Sequence, residues 1–469
     1  MKRWLCLLAL AACDPHQGAS STQSHDPLPP HSAIPSTSSA PAPPNPAPCA
    51  EPPPSGEPHT TPHPSDLDPT ADSLRDALEA LARAHPCAAR LHTLGKSHLG
   101  RPLLALELGR GESEGKPTIL LDGAHHGDEP LSATFVLDAA RFILSRAGRD
   151  PEVDGWLDEL RVWLVPLVNP DGLEAYVQKT FARSGIKKPG RKNARDNDGD
   201  GRHGPNDGVD LNRNYPFKWG YLGEEGSTAA YALHTYRGPS AGSEPETQAM
   251  IALAEHEVFS ASISYHIGGI AMLVPYTIER VRDPKPNPLW PIARGLAAAM
   301  TPHPDAVAVP PYPVKRKLYS VDGTDQDYLF HGYGTLALLV EGALRGSAGA
   351  ADRERRARVV EAQRSSWLAL LRRVMRGPQL EGRVVDRQGH PLVAEVSLVG
   401  TETFEGEHWR TRCRDGAFTR WVAEPGPQAL RVQYRGTTIE RRVTAGPGRT
   451  RVTIELEVDA PPASCPPLP

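Results

Sequence analysis

At 469 residues the chain is long for one compact unit, and its length and composition predict two folded units plus a tail. Lys and Arg total 52 against 56 Asp and Glu, a formal net charge of −4, and no basic run is interleaved with aromatics, so nothing offers nucleic acid a footprint. No apolar stretch approaches the roughly 18 residues of a membrane-spanning helix.

Lys2-Arg3 precedes the apolar run from Trp4 to Cys13, which predicts a short export signal over residues 1–13. Leu10-Ala11-Ala12-Cys13 resembles a bacterial lipoprotein box, in which the cysteine becomes the lipidated first residue. The expectation is an exported bacterial lipoprotein, held at the periplasmic face or cell surface by a lipid anchor rather than by a span. Residues 14–65 are Pro, Ser, Ala, Thr and His with few large apolar side chains. They cannot bury enough surface to offset chain entropy, so they read as a disordered spacer. Once Cys6 leaves with the signal and Cys13 carries lipid, Cys49, Cys87, Cys413 and Cys465 remain; four thiols in an exported protein suggest disulfides, with three connectivities open.

From Asp66 to Ala84 Leu74, Leu78 and Leu81 share one helical face, with Pro86 just beyond. Residues 90–108 carry two alternating runs around a Gly-containing turn, a hairpin signal. Buried strands follow at Pro117–Asp122, Val162–Val165, Ala261–Tyr265 and Thr335–Val340, with helical patterns between them. This alternation predicts an α/β unit over residues 66–376: a mixed, centrally parallel sheet sandwiched by helices, closed by a helix from Asp352 to Met375. After Gly377-Pro378 the pattern changes to short alternating strands, which predicts a small all-β sandwich over residues 379–458, followed by a tail, 459–469.

In parallel sheets ligands bind beyond the carboxyl ends of the strands. Four apolar strands here run into polar, metal-competent groups: His126 and Glu129, Asn169 and Asp171, His266, and Glu341. A His and a Glu three apart in a Gly-containing turn can close on one ion. Imidazole plus carboxylate suits catalytic Zn²⁺, where three protein ligands leave one position for water.

The ordered set of motifs resembles that of the zinc carboxypeptidase, or M14 metallocarboxypeptidase, family over roughly residues 70 to 375. It comprises His126-Gly127-Asp128-Glu129, Asn169-Pro170-Asp171-Gly172, Gly208-Val209-Asp210-Leu211-Asn212-Arg213-Asn214-Tyr215-Pro216, Tyr265-His266, and Tyr319 followed by Glu341. The resemblance implies His126, Glu129 and His266 as ligands of one Zn²⁺, with His125 a neighbour rather than a ligand, and Glu341 as general base and acid. It implies Arg213 beside Asn212 as the fork for a peptide's terminal carboxylate, and Tyr319 as a mobile tyrosine over the bound terminus. Arg191 would polarise the scissile carbonyl, with Arg195 the second choice. Branches of the family that remove Lys or Arg carry Asp where this chain has Thr277 or Gln326, so the pocket for the terminal side chain is expected to be neutral. Gln326-Asp327 and the C-terminal sandwich together resemble the regulatory branch, which carries a transthyretin-like domain.

The expected activity is removal of one residue from the C-terminus of peptides or proteins. Two alternatives use the same residues differently: hydrolysis of cell-wall (murein) peptides, and a catalytically silent surface binding protein. Asp196, Asp198 and Asp200 alternate before a glycine as calcium ligands do, but Asp207 stands where such loops carry Glu, and a solvated acidic turn is the preferred reading.

Overall fold

The computed structural model describes residues 56–181, 183–185, 187–304, 312–345, 352–459 and 464–468. The expected export signal, Cys13, Cys49 and most of the spacer lie outside the described residues.

The α/β part of the chain alternates helices and strands in the order α1 (Ala71–Ala84), β1 (Ala89–Lys96), β2 (Pro102–Leu108), β3 (Thr118–Gly123), α2 (Pro130–Arg146), α3 (Pro151–Glu159), β4 (Arg161–Val165), α4 (Pro170–Val177), α5 (Pro245–Glu257), β5 (Ala261–His266), β6 (Gly269–Leu273), α6 (Leu289–Ala299), β7 (Val314–Lys315), α7 (Asp325–Tyr333), β8 (Leu336–Ala343) and α8 (Arg353–Arg376). Eight strands form one sheet in the order β1-β2-β4-β3-β5-β8-β6-β7. The central four, β4, β3, β5 and β8, are mutually parallel, and β2 and β6 flank them antiparallel. The expected centrally parallel α/β sheet is therefore present. Strands β3, β4 and β5 are buried along their whole length, which is why they read as near-continuous apolar runs.

Alternation along β5 separates core from site. Tyr265 points to one face, where it meets Phe135 of α2 edge-on and Ser366 of α8 through its hydroxyl at 2.7 Å. Ser264 and His266, one residue to either side, point to the opposite face. The core under α2 and α8 is aromatic, with Trp367 packed edge-on against both Phe142 and Trp156.

Two sequence expectations are corrected here. The helix expected from Asp66 to Ala84 is two pieces, a 3₁₀ turn over Pro64–Leu67 and then α1. Pro69 disfavours helical backbone at Asp68, and Thr70 restarts the helix with a reciprocal capping box with Ser73. The spacer also ends earlier than residue 65. His59 Nε2 lies 2.7 Å from Asp138 Oδ1, and Arg364 reaches both Asp138 and the Thr60 carbonyl, so the chain is bound to α2 and α8 from His59 onward.

Residues 379–455 contribute β9 (Gln379–Val385), β10 (Glu395–Leu398), β11 (Ala417–Trp421), β12 (Gly426–Tyr434), β13 (Thr437–Ala445) and β14 (Arg449–Glu455). They form two three-stranded sheets, β10-β12-β13 and β11-β9-β14, that share an apolar cluster including Leu380, Val384, Val396, Phe418, Leu430 and Ile454. Cys413 is disulfide-bonded to Cys465. Cys87 is also disulfide-bonded. The contact with the α/β body is built from paired groups: Trp421 Nε1 donates to the Ser260 carbonyl at 2.9 Å, and Arg414 donates through both terminal nitrogens to Glu257 at 2.6 and 2.8 Å.

Burial raises the Glu257 carboxyl, but His256 and Arg414 outweigh it and bring the pKa down to about 2. A depressed carboxyl stabilises the fold fully above its unfolded pKa and loses that contribution as pH falls through the folded value. Wild-type stability should therefore fall between about pH 4.5 and pH 2 by up to about 3 kcal/mol from this group. Glu257→Gln should remove that share of the pH dependence. Urea midpoints of the two proteins from pH 6 to pH 2 check it, and parallel curves would refute it.

Candidate metal centre

The carboxyl ends of β3, β5 and β8 lie side by side. In the ladder register His266 pairs with Glu341, so the last residue of β5 and a residue near the end of β8 are neighbours. Glu341 is not beyond its strand, as the sequence reading had it; β8 continues to Ala343. After β3, Ala124 takes a left-handed φ of 51°, a costly conformation for a side-chain-bearing residue, and this sharp turn aims the next residues across the strand ends. Gly127 is required by close approach: a Cβ there would lie 2.1 Å from the backbone carbon of Gly172. The glycines of the two motifs thus mark one crossing of backbones, which brings His126-Gly127-Asp128-Glu129 against Asn169-Pro170-Asp171-Gly172.

Asn169 fixes that crossing. Its side chain accepts from Gly172 N–H at 2.9 Å and donates to the carbonyls of His125 and Arg191, each at 3.1 Å. Three buried side chains then converge. His126 Nδ1 lies 3.2 Å from Glu129 Oε1, His266 Nδ1 lies 3.2 Å from Glu129 Oε2, and the two Nδ1 atoms are 3.2 Å apart. Donor atoms about 2.0–2.1 Å from a tetrahedral zinc stand roughly 3.3 Å from one another, so this donor set fits the ion in both type and spacing. Burial opposes charge on Glu129, but the two histidines outweigh it and hold its carboxyl well below the usual range.

The ring nitrogens facing away from this convergence are also engaged. His126 Nε2 lies 3.1 Å from Asp210 Oδ1, a carboxylate that fixes the tautomer and ring orientation of a metal-binding histidine. His266 Nε2 faces Asn212 Nδ2 at 3.3 Å and Ser264 Oγ at 3.4 Å. His125 points elsewhere, with Nε2 2.9 Å from the Tyr215 hydroxyl, and burial pushes its pKa down to about 4.

The other expected residues divide. Arg191 is buried against the centre, its Nε 2.9 Å from Asp210 Oδ2 and its Nη1 3.7 Å from Glu129 Oε1. Arg195 turns away to Glu244 at 3.3 Å. Arg213 is buried, held by the Asn212 and Gly226 carbonyls at 2.6 and 3.2 Å, and its Nη2 faces the Tyr319 hydroxyl at 3.3 Å. Tyr319 is 58 % exposed, so its ring is free of the core. Glu341 Oε2 is buried with no hydrogen-bond partner among the described residues, and burial together with the Glu129 charge raises its pKa. Thr277 is spent on Asp327, donating through Oγ1 at 2.7 Å and through its backbone N–H. Gln326 is buried with both amide atoms unpartnered.

The sequence reading assigned no role to Asp210, Arg345 or Asp325. Asp210 lay inside a quoted motif and could have been found there, since a metal-binding histidine needs an acceptor behind it. Arg345, which donates to Asp128 at 2.8 Å and Glu129 at 2.9 Å, is more than 200 residues from both, and no spacing announces it. Asp325 anchors its N–H on Asn212 Oδ1 at 3.0 Å and buries two unpartnered carboxylate oxygens beside Gln326. The acidic carboxylates already accept backbone N–H groups, Asp196 from Gly199 and Gly201, Asp198 from Asp200, Asp200 from Arg202 and Asp207 from Asn197, which suits a self-satisfied acidic turn.

A family model described as zinc carboxypeptidase matches residues 74–350. The metallocarboxypeptidase A of Arthroderma otae is 31% identical over 243 residues, covering 50% of this chain and 53% of that protein. The chain thus aligns with about half the length of the curated relatives it matches. Among solved structures, bovine thrombin-activatable fibrinolysis inhibitor in complex with tick carboxypeptidase inhibitor superposes with a TM-score of 0.52 at 20% identity, covering 66% of this chain and 97% of that one. Carboxypeptidase A from Helicoverpa armigera gives 0.51 at 21% identity, covering 65% and 72%. These two likenesses concern the fold.

Proposed function

This chain belongs to the zinc carboxypeptidase family, and from that premise we propose that it removes single residues from the free C-termini of peptides. The observation that carries the reading is the 3.2 Å convergence of His126, Glu129 and His266 beside an unpartnered Glu341 oxygen. Zinc held by the three would supply a Lewis acid that polarises a carbonyl and acidifies a water.

The remaining work falls to this chain's side chains. Glu341, with a free Oε2 and a raised pKa, takes the proton of the attacking water and returns it to the leaving amine. Arg191, kept charged by Asp210, faces charge developing on the scissile carbonyl oxygen. Arg213 and Asn212 receive the terminal carboxylate, and Tyr319, exposed and bonded through its hydroxyl to Arg213 Nη2, closes over it.

Arg213→Ala should cost about 2–3 kcal/mol of the preference for a free acid over the matching amide, the worth of a charge-assisted contact. Paired free-acid and amidated peptides measure it; equal discrimination in both proteins removes Arg213 from recognition. Peptides ending in neutral residues should outperform those ending in Lys or Arg, because Thr277 and Gln326 are neutral. The reverse order would refute a neutral pocket.

We read the protein as an exported lipoprotein with residues 379–458 as a transthyretin-like accessory domain. The Leu10–Cys13 motif and the Cys413–Cys465 bond, which suits an oxidising compartment, support export. Expressed in a bacterium, the full chain should fractionate with membranes and Cys13→Ser should not; membrane retention by the variant would discard the anchor.

A further inference from the structure

Beside the metal centre lies a cleft of about 300 Å³ whose walls include Lys187, Lys188, Gly190, Leu233 and His234. The chain and its charges connect it to that centre. Gly190 lines it, and the next residue is Arg191, which contacts Asp210 and approaches Glu129. Lys188 lies in the fields of Arg191, Arg345 and Asp128, and His234 in those of Lys188, Arg191 and Asp210. Asp128 follows the ligand His126 by two residues and is ion-paired to Arg345.

Cations outnumber carboxylates in this lining, with Lys187, Lys188 and Lys192 against Asp207. Asp207, an acid in the lining, is spent on the N–H groups of Asn197 and Gly204. Lys192 is spent too, donating to the carbonyls of Asn206 and Tyr231. The Lys188 carbonyl accepts from Arg191 N–H at 3.2 Å, but the side-chain ammonium groups of Lys187 and Lys188 have neither a hydrogen bond nor an ion pair among the described residues. Leu233, an exposed apolar side chain of the same lining, offers contact to an extended chain. On the reading above, Arg213 and Tyr319 take the terminal carboxylate and Arg191 the scissile carbonyl. A cleft on the Arg191 side then meets the part of the substrate that precedes the bond.

We propose that this cleft binds the residues upstream of the scissile bond and selects acidic side chains there, through Lys187 and Lys188. The inference rests on the exopeptidase reading, and binding and turnover separate the two. Labelled peptides with the same last two residues, carrying either Glu or Lys at the three positions before them, are titrated against zinc-loaded Glu341→Gln protein by fluorescence anisotropy. The Glu peptide should bind roughly fivefold to tenfold more tightly, the worth of one or two exposed ion pairs. That ratio should fall toward one between about 0.05 and about 0.5 M salt. In a background carrying Lys187→Glu and Lys188→Glu the order should invert, and because each protein is read as a ratio of two peptides, a general loss of affinity cancels. Equal binding of the two peptides, a ratio indifferent to salt, or an unchanged ratio in the charge-reversed protein would overturn the proposal. Turnover of the same peptides by the wild-type protein reports separately: hydrolysis without acidic selection sinks only this inference, whereas selective binding without hydrolysis sinks the exopeptidase reading.

Discussion

Glu341→Gln is expected to lower kcat by about 10²–10⁴ while leaving substrate affinity nearly unchanged. The substitution keeps the shape of the side chain at its place on β8 beside His266 and removes only its capacity to take a proton. The wild-type group is suited to that task by position, since its Oε2 is buried without a competing donor. Burial and the neighbouring Glu129 charge raise its pKa above the ordinary carboxyl value. Single-turnover kinetics and equilibrium binding on one peptide separate the two quantities. Near-wild-type turnover in the variant would remove the general-base assignment.

The second large effect concerns the ion. His126→Ala removes one of three ligands and leaves His266 and Glu129 to hold zinc by two contacts. Bound zinc should fall from one equivalent per chain to near none after dialysis, and activity should fall with it. The fold should survive, because the sheet beneath is closed by its own core, with Leu121, Ile263 and Leu338 all fully buried. Elemental analysis together with far-UV circular dichroism checks both halves; a folded variant that keeps its zinc would displace His126 from the ligand set.

The readable parts of this chain are those in which short-range pattern and function coincide. Strands β3, β5 and β8 announce themselves as apolar runs, and His126 and Glu129 after β3, His266 at the end of β5 and Glu341 near the end of β8 are visible because each sets an imidazole or a carboxylate against such a run. Helix boundaries were less legible. The sequence ran the first helix through Pro69 because Leu74, Leu78 and Leu81 keep one face, and apolar periodicity carries no weight against a break before the first turn. The early docking of His59 was hidden for another reason: a polar, proline-rich stretch looks unstructured until its few polar groups find buried partners, here Asp138 and Arg364.

Contacts of high sequence separation were not legible. Arg345 on Asp128 and Glu129, and Arg414 on Glu257, depend on the whole sheet order, which local pattern leaves open. Asp325 was not legible either, because its backbone N–H meets Asn212 while its carboxylate gathers with Asp122 and His125, residues more than 190 positions away.

The most direct test is a mass measurement. The purified protein is incubated with one peptide in free-acid and amidated forms, with and without a zinc chelator, and the products are weighed. The account predicts that the free-acid peptide shortens one residue at a time from its C-terminus, that the amide is spared, and that chelation stops the reaction until zinc is restored. Internal fragments, equal cleavage of the amide, or hydrolysis indifferent to the chelator would contradict it.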